Sequence, residues 1–349
     1  MPDEYHPRPK RERMHKNLRL FYFLLLATAI AAGVRYMDTQ EAAEISMAEN
    51  AANFAVADTA AVDKIFIADK DGKQALLERT ADRYWKLNGT YFARKDAVDL
   101  LLKTFLRARV QRPVPKGELD NVNRLLAGRG KKVEIYQGGD TPVKTWYIGT
   151  STQNHTGTYM VLADANGQIA EEPFIVHMEG FTGFLSTRFF TDVREWRYTG
   201  MFDYPGNSLR RIEIEMTEAG GHVYSMEVDS TGTIRVEGAP LLSRADTMFW
   251  QDRFNRFRKV HLETYNNHLT ESAEDSLLNR AEPAFRLRAW SRQGEAPNEI
   301  ELYWKAPISE TYNDDGELNK WDGARMYAVY KGEAVLVQRF VFDPLLEGL

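Results

Sequence analysis

The chain has 349 residues, 45 basic and 50 acidic side chains for a formal charge of −5, and 43% apolar and 27% charged residues. That is globular composition, which excludes a collagen, a disordered acidic tail and a polytopic membrane protein, and the near-neutral balance gives nucleic acid no reason to bind. No cysteine is present, so disulfides, thiol nucleophiles, iron–sulfur clusters, Cys-ligated zinc and a lipid-modified cysteine are excluded.

Residues 1–19 carry Arg8, Lys10, Arg11, Arg13, Lys16 and Arg19 against Asp3, Glu4 and Glu12, and an uncharged run, LFYFLLLATAIAAGV, fills 20–34. Fifteen helical residues reach about 22 Å, short of the roughly 30 Å hydrocarbon core. Leu18, Tyr36 and Met37 lengthen the stretch, and Arg19 and Arg35 can snorkel to the two interfaces. The sequence therefore predicts a basic cytoplasmic tail over 1–19 and a single-pass inner-membrane anchor over 20–37, with the body in the periplasm. Ala27-Thr28-Ala29 and Ala29-Ile30-Ala31 offer the alternative of a cleaved signal peptide, but the long basic lead favours an uncleaved anchor. The first 20 residues hold six basic and three acidic side chains, so the remainder carries 39 against 47, near −8. That charge does not suit docking on anionic headgroups.

Residues 38–57, rich in Ala, Glu, Ser and Asn, read as a linker. Val62, Ile65 and Ile67 mark a strand that ends at the Asp71-Gly72 turn. Strands over 74–78 and 84–87 follow, then the strong turn signal Asn88-Gly89. Val98, Leu101, Phe105 and Ala108 recur at helical spacing and predict a helix over 96–109, closed by Pro113 and Pro115. A second helix over 119–127 stops at Gly128, and strands follow at 133–136 and 144–148. The same order returns about 150 residues later, the kind of self-similarity that signals an internal repeat. Alternation predicts strands at 209–216, 224–228 and 233–236. Ser243-Arg244-Ala245-Asp246 then opens a helix whose apolar stripe is Trp250, Phe254, Phe257 and His261, with Arg253, Arg256 and Arg258 solvated. Strands at 285–290 and 300–304 match those at 133–136 and 144–148. The closing pairs are 158–161 with 326–329, and 174–177 with 339–342. The expected class is α+β, in two related halves at 58–204 and 205–349. Each half is a mainly antiparallel sheet with packed amphipathic helices, following the one transmembrane helix.

The run VDKIFIADKDGKQALLER…YWKLNGTYFARKDAVDLLLKTFLRARVQRPVPK, with STQNHTGTYMVL, EEPFIVHMEGFTGFLSTRFF and TDVREWR, resembles the bacterial domain of unknown function 4340 family. The likeness covers 58–204 well and the second half more loosely. It implies one N-terminal membrane helix and an extracytoplasmic α+β body. Some relatives are encoded beside auxiliary subunits of gliding-type ABC transporters, which implies an accessory role at the inner membrane. It brings no catalytic residue.

The chemistry-bearing residues form no strong motif. None of the seven histidines makes a His-Glu-x-x-His pair, and His177, in phase with Ile175, reads as a partly buried strand residue. His155, in a polar loop, could meet it, but two ligands do not make a metal site. Gly183-Phe184-Leu185-Ser186 is no nucleophile elbow, and Gly128-Arg129-Gly130-Lys131-Lys132 lacks P-loop spacing. No cofactor and no metal are expected. The densest region is 157–197. Its Tyr159, His177, Phe181, Phe184, Arg188, Trp196 and Arg197 form the candidate binding surface, because Tyr, Trp and Arg dominate interface hot spots. The competing reading is a junction in which the aromatics cement the halves and the arginines pair with Asp192 or Glu195. The sequence expectation is therefore a non-catalytic accessory or scaffold that binds another envelope protein. The alternatives are a glycan- or peptide-binding module with a cleft between the halves and, behind it, an envelope hydrolase.

Overall fold

A computed structural model describes residues 51–346 apart from 83, 165–166, 219, 239–246, 295 and 314, and before them Thr28, Ile30 and Arg35. The expected anchor over 20–37 apart from Thr28, Ile30 and Arg35, most of the linker and the helix-opening Ser243–Asp246 lie outside the described residues. The protein is mixed α+β, dominated by antiparallel strands with few helices. No helix of the described residues is long and apolar enough to cross a membrane.

The chain forms two compact units, one from residues up to Ala60 and Lys103–Ser186, the other from Ala61–Leu102 and Thr187–Leu349. Their boundaries differ from the expected 58–204 and 205–349. The second unit gathers the first strands of the chain with everything after Thr187, because compactness follows packing in space and not chain order.

In the first unit β5 (Ala108–Pro113), β6 (Lys131–Tyr136), β7 (Lys144–Ser151), β8 (Thr158–Ala163) and β9 (Phe174–Met178) run in the order β6-β7-β8-β9-β5. Trp146 on β7 is fully enclosed, its ring 5.2 Å from Phe105 and 6.0 Å from Phe54, both edge-on. The end of the expected linker is thus packed from Phe54 onward. Helix α1 (Lys95–Arg107) precedes β5, and α2 (Leu119–Arg129) lays Val122 and Leu126 over Tyr159, Val161 and Ile175. Gly149 lets them approach, since a Cβ there would stand 3.0 Å from Leu126 Cδ2 and 3.1 Å from the Tyr159 carbonyl.

In the second unit β1 (Lys64–Ala68), β2 (Gln74–Arg79), β3 (Trp85–Leu87) and β4 (Tyr91–Phe92) form a meander. Asn88 and Gly89, with φ of 49° and 69°, make the β3–β4 turn that the sequence signals. A seven-stranded antiparallel sheet follows in the order β13-β12-β11-β15-β16-β17-β18. Its strands are β11 (Leu209–Met216), β12 (His222–Val228), β13 (Ile234–Glu237), β15 (Phe285–Ser291), β16 (Asn298–Trp304), β17 (Arg325–Tyr330) and β18 (Glu333–Gln338). Alternate residues, among them Ile212, Ile214, Leu287, Ile300 and Val335, enter one core with Trp250 and Phe254 of α3 (Thr247–Arg256). The other residues of the alternation carry a cross-strand charge ladder. Arg286 meets Glu215 and Glu301, and Arg288 meets Glu213, Glu215 and Glu299 at 2.5–3.1 Å. Strands β10 (Gly200–Asp203) and β14 (Lys259–His261) pair separately, α4 (Glu271–Asn279) follows, and α5 (Arg339–Leu346) closes the described chain.

Five local expectations are corrected. Helix α1 ends at Arg107, two residues early, because Ala108–Pro113 pairs with β9. Helix α2 runs through Gly128, and Gly130 caps it by donating to the Leu126 carbonyl. The stripe ending in His261 breaks after Arg256, where the chain turns into β14. Arg253 is buried and not solvated, donating to the Tyr224 hydroxyl at 2.9 Å and the Leu345 carbonyl at 3.0 Å. Residues 339–342 are helical, and the closing strand is β18 before them.

Trp146→Ala removes the ring on which Phe54 and Phe105 meet. The expected cost is about 3–5 kcal/mol of stability, read as a fall in the urea midpoint of the full-length protein.

Candidate functional site

Trp196 fixes the chain that carries Arg197. Its indole is fully enclosed and its Nε1 donates to the Phe190 carbonyl at 2.9 Å. Residues 196–198 then lie extended along 92–94: the Arg94 amide donates to Trp196 and the Tyr198 amide to Phe92, with a bridge between Ala93 and Arg197. The Arg197 guanidinium sits between two rings, 4.1 Å from the centroid of Tyr91 and 3.7 Å from that of Tyr265. Its two terminal nitrogens donate to the Glu333 carboxylate at 2.7 and 3.0 Å. The planar fork matches the carboxylate, and its faces match the rings, a combination an ammonium cannot reproduce. Burial opposes the charge on Arg197, but the bond to Glu333 outweighs it and the guanidinium pKa is raised. The Tyr265 hydroxyl, pushed up by burial, donates to the Tyr198 carbonyl. Thr90, Tyr91, Phe92, Tyr198, Tyr265 and Glu333 help line a recess of about 270 Å³ inside the second unit. Tyr84 and Phe92, their rings 6.1 Å apart, are 65% and 56% exposed beside it.

A second recess of about 630 Å³ in the same unit contains His261, Thr199, Lys259, Asp96, Asp99 and Glu263. His261 Nδ1 and Thr199 Oγ1 are 3.0 Å apart. Burial, helped by Lys259, lowers the His261 pKa. The carboxylates are taken elsewhere: Asp96 by Arg94, Asp99 by Lys95 and Glu263 by Arg325. Among the described residues no carboxylate hydrogen-bonds His261, so the hydroxyl–imidazole pair lacks the orienting group of a hydrolytic triad.

No protein family, curated protein or solved structure matches this chain.

The expected surface residues fall into different units. Tyr159, His177, Phe181 and Phe184 belong to the first, and Arg188, Trp196 and Arg197 to the second. The Tyr159 hydroxyl, raised by burial, donates to Glu118 at 3.1 Å. His177 is half-buried on β9 opposite Arg109, Phe181 is exposed, and Phe184 tilts against the His155 ring at 5.6 Å. Arg188 is buried, and burial lowers its pKa. The expected pairing with Asp192 is made by Arg194, at 2.7 Å, while Arg197 takes Glu333. No cluster of three or more His, Asp or Glu among the described residues could hold a metal ion. Tyr91, Tyr265 and Glu333 were not legible as site residues. Glu333 lies 136 positions from Arg197, and nothing local announces the meeting.

Arg197→Lys keeps the charge and loses the stacking and the paired hydrogen bonds. It is expected to cost on the order of 1–3 kcal/mol, measured by urea denaturation. The His261 shift sets a sign as well. Between the ordinary 6.5 and its lower folded value the unfolded chain binds more protons, so stability falls as pH drops through that window. Denaturation midpoints followed from about pH 7.5 downward test this, and His261→Gln is expected to flatten that part of the profile.

Proposed function

We propose that the chain is a membrane-anchored, periplasmic accessory or scaffold protein whose body binds another envelope protein, as its resemblance to the domain of unknown function 4340 family implies. The location rests on the basic tail and the uncharged run over 20–34. The association with an ABC-transporter or gliding-type system belongs to the same resemblance. The binding half is carried by one observation: Tyr84, Tyr91 and Phe92 are exposed beside a guanidinium held rigidly between two rings. Aromatic and Arg anchors on a fixed backbone are what interface hot spots are made of.

The body is also proposed to be duplicated. Leaving aside β4 and β10, the chain orders three strands, helix, strand, helix and four strands, and then orders them so again. Two further sequence matches support this reading: 133–136 with 285–290, and 144–148 with 300–304.

The ligand-binding alternative draws on the same recess, lined by segments from both chain halves within one unit. A glycan or peptide there would have to compete for ring faces that Arg197 already covers.

Two arms of one experiment test the proposal. An enzyme reporter active only in the periplasm, fused after Leu349, is expected to be active. Affinity capture of the full-length protein after crosslinking in membranes is expected to yield one stoichiometric partner, with recovery reduced at least tenfold by Phe92→Glu. A silent reporter refutes the location, and capture of no partner refutes the accessory role.

A further inference from the structure

In the second unit the turn before β11, the end of α3 and the residue after β15 enclose a recess of about 260 Å³ lined by Asn207, Gln251, Asn255, Arg258 and Arg292, with Leu209 among its apolar residues. None of its lining residues is acidic. Elsewhere in this unit Arg211, Arg256, Arg286 and Arg288 each hold a carboxylate. Arg258 instead gives one terminal nitrogen to the Asn207 side-chain oxygen at 3.3 Å, and Arg292 gives its Nε to the Asn207 carbonyl at 2.9 Å. Among the described residues no carboxylate pairs with either guanidinium. The Arg258 Nε is enclosed without a partner.

The backbone holds both arginines in place. The Arg258 carbonyl accepts from Tyr204, and the Arg292 amide donates to Ser208. The carbonyls of Phe254 and Asn255 at the end of α3 accept from the amides of Phe257 and Arg258. What remains is two cations with unused N–H donors, flanked by side-chain amides able to donate more.

We propose that this recess is a binding site for a phosphate-type oxyanion, held by Arg258 and Arg292 with Asn255 and Gln251 as neutral donors. Paired guanidinium forks match the tetrahedral oxygens of phosphate and favour it over chloride. The recess is separate in its residues from the Arg197 surface, so the inference does not depend on the accessory role.

The test is thermal unfolding of the full-length protein in inorganic phosphate against sodium chloride of equal ionic strength. A second arm uses glycerophosphoglycerol, the soluble diester headgroup of an anionic lipid. A ligand selective for the folded state raises the midpoint, by on the order of 3–5 °C near a hundredfold excess over its dissociation constant. The expected result is a saturable rise with phosphate that Arg292→Gln abolishes. Arg292 is the variant of choice because it is exposed. A rise with phosphate alone identifies a free phosphate or monoester as the ligand, and a rise with both extends it to a lipid headgroup. No rise with either, or a rise unchanged in Arg292→Gln, overturns the proposal.

Discussion

Arg197 is the residue on which the candidate surface depends. Its guanidinium joins Tyr91 on the β3–β4 hairpin, Tyr265 in the loop after β14 and Glu333 at the start of β18. These segments are far apart in the chain and meet inside one compact unit. A partly desolvated cation between two rings loses hydration on both faces, and the ring faces and the carboxylate at its edge compensate together. The clamp therefore needs all of its parts. It fixes Tyr91 and its neighbour Phe92 at the lip of a recess without asking either ring to be buried, and so supplies a rigid aromatic anchor at low entropic cost.

The seven-stranded sheet shows the complementary use of charge. Its inward positions are aliphatic and its outward positions on β11, β15 and β16 alternate Arg and Glu across strands. Arg211, Arg286 and Arg288 there each meet two or more carboxylates, so that ladder leaves little positive charge free for a ligand. Two other settings differ from that ladder: Arg197 is stacked between rings with one carboxylate at its edge, and Arg258 and Arg292 lie in a recess free of acids.

Much of the architecture was legible because strand alternation is a local signal. The string LRRIEIEM reads as β11 from end to end, since each apolar residue must face the core and each charged one water. Asn88-Gly89 announces its turn through the positive φ both residues adopt. Reading failed where two structures share one local pattern. ARVQR reads on from the amphipathic helix with no breaker before Pro113, and only pairing with β9 makes it a strand. VLVQRFVF has apolar residues on both sides of Gln338-Arg339 and no Gly or Pro between them, so nothing in it marks the switch from β18 to α5 at Arg339. Arg253 looks like a solvent-facing helix residue and is drawn inward by the Tyr224 hydroxyl and a carbonyl of the closing helix. The dense segment 157–197 reads as one surface in the sequence, yet the chain passes from one unit to the other at Ser186. Arg197 was named for its residue type, while its partners Tyr91, Tyr265 and Glu333 are set by long-range packing that spacing cannot reveal.

The central claim is that a clamped guanidinium presents the Tyr91–Phe92 edge to a protein partner. A photo-crosslinking amino acid placed at Phe92 in living cells tests it most directly, comparing the native Arg197 background with Arg197→Lys. The account predicts a discrete crosslinked adduct in the native background that fades when the clamp is loosened. The absence of any adduct at position 92, or one of equal yield in both backgrounds, would contradict it.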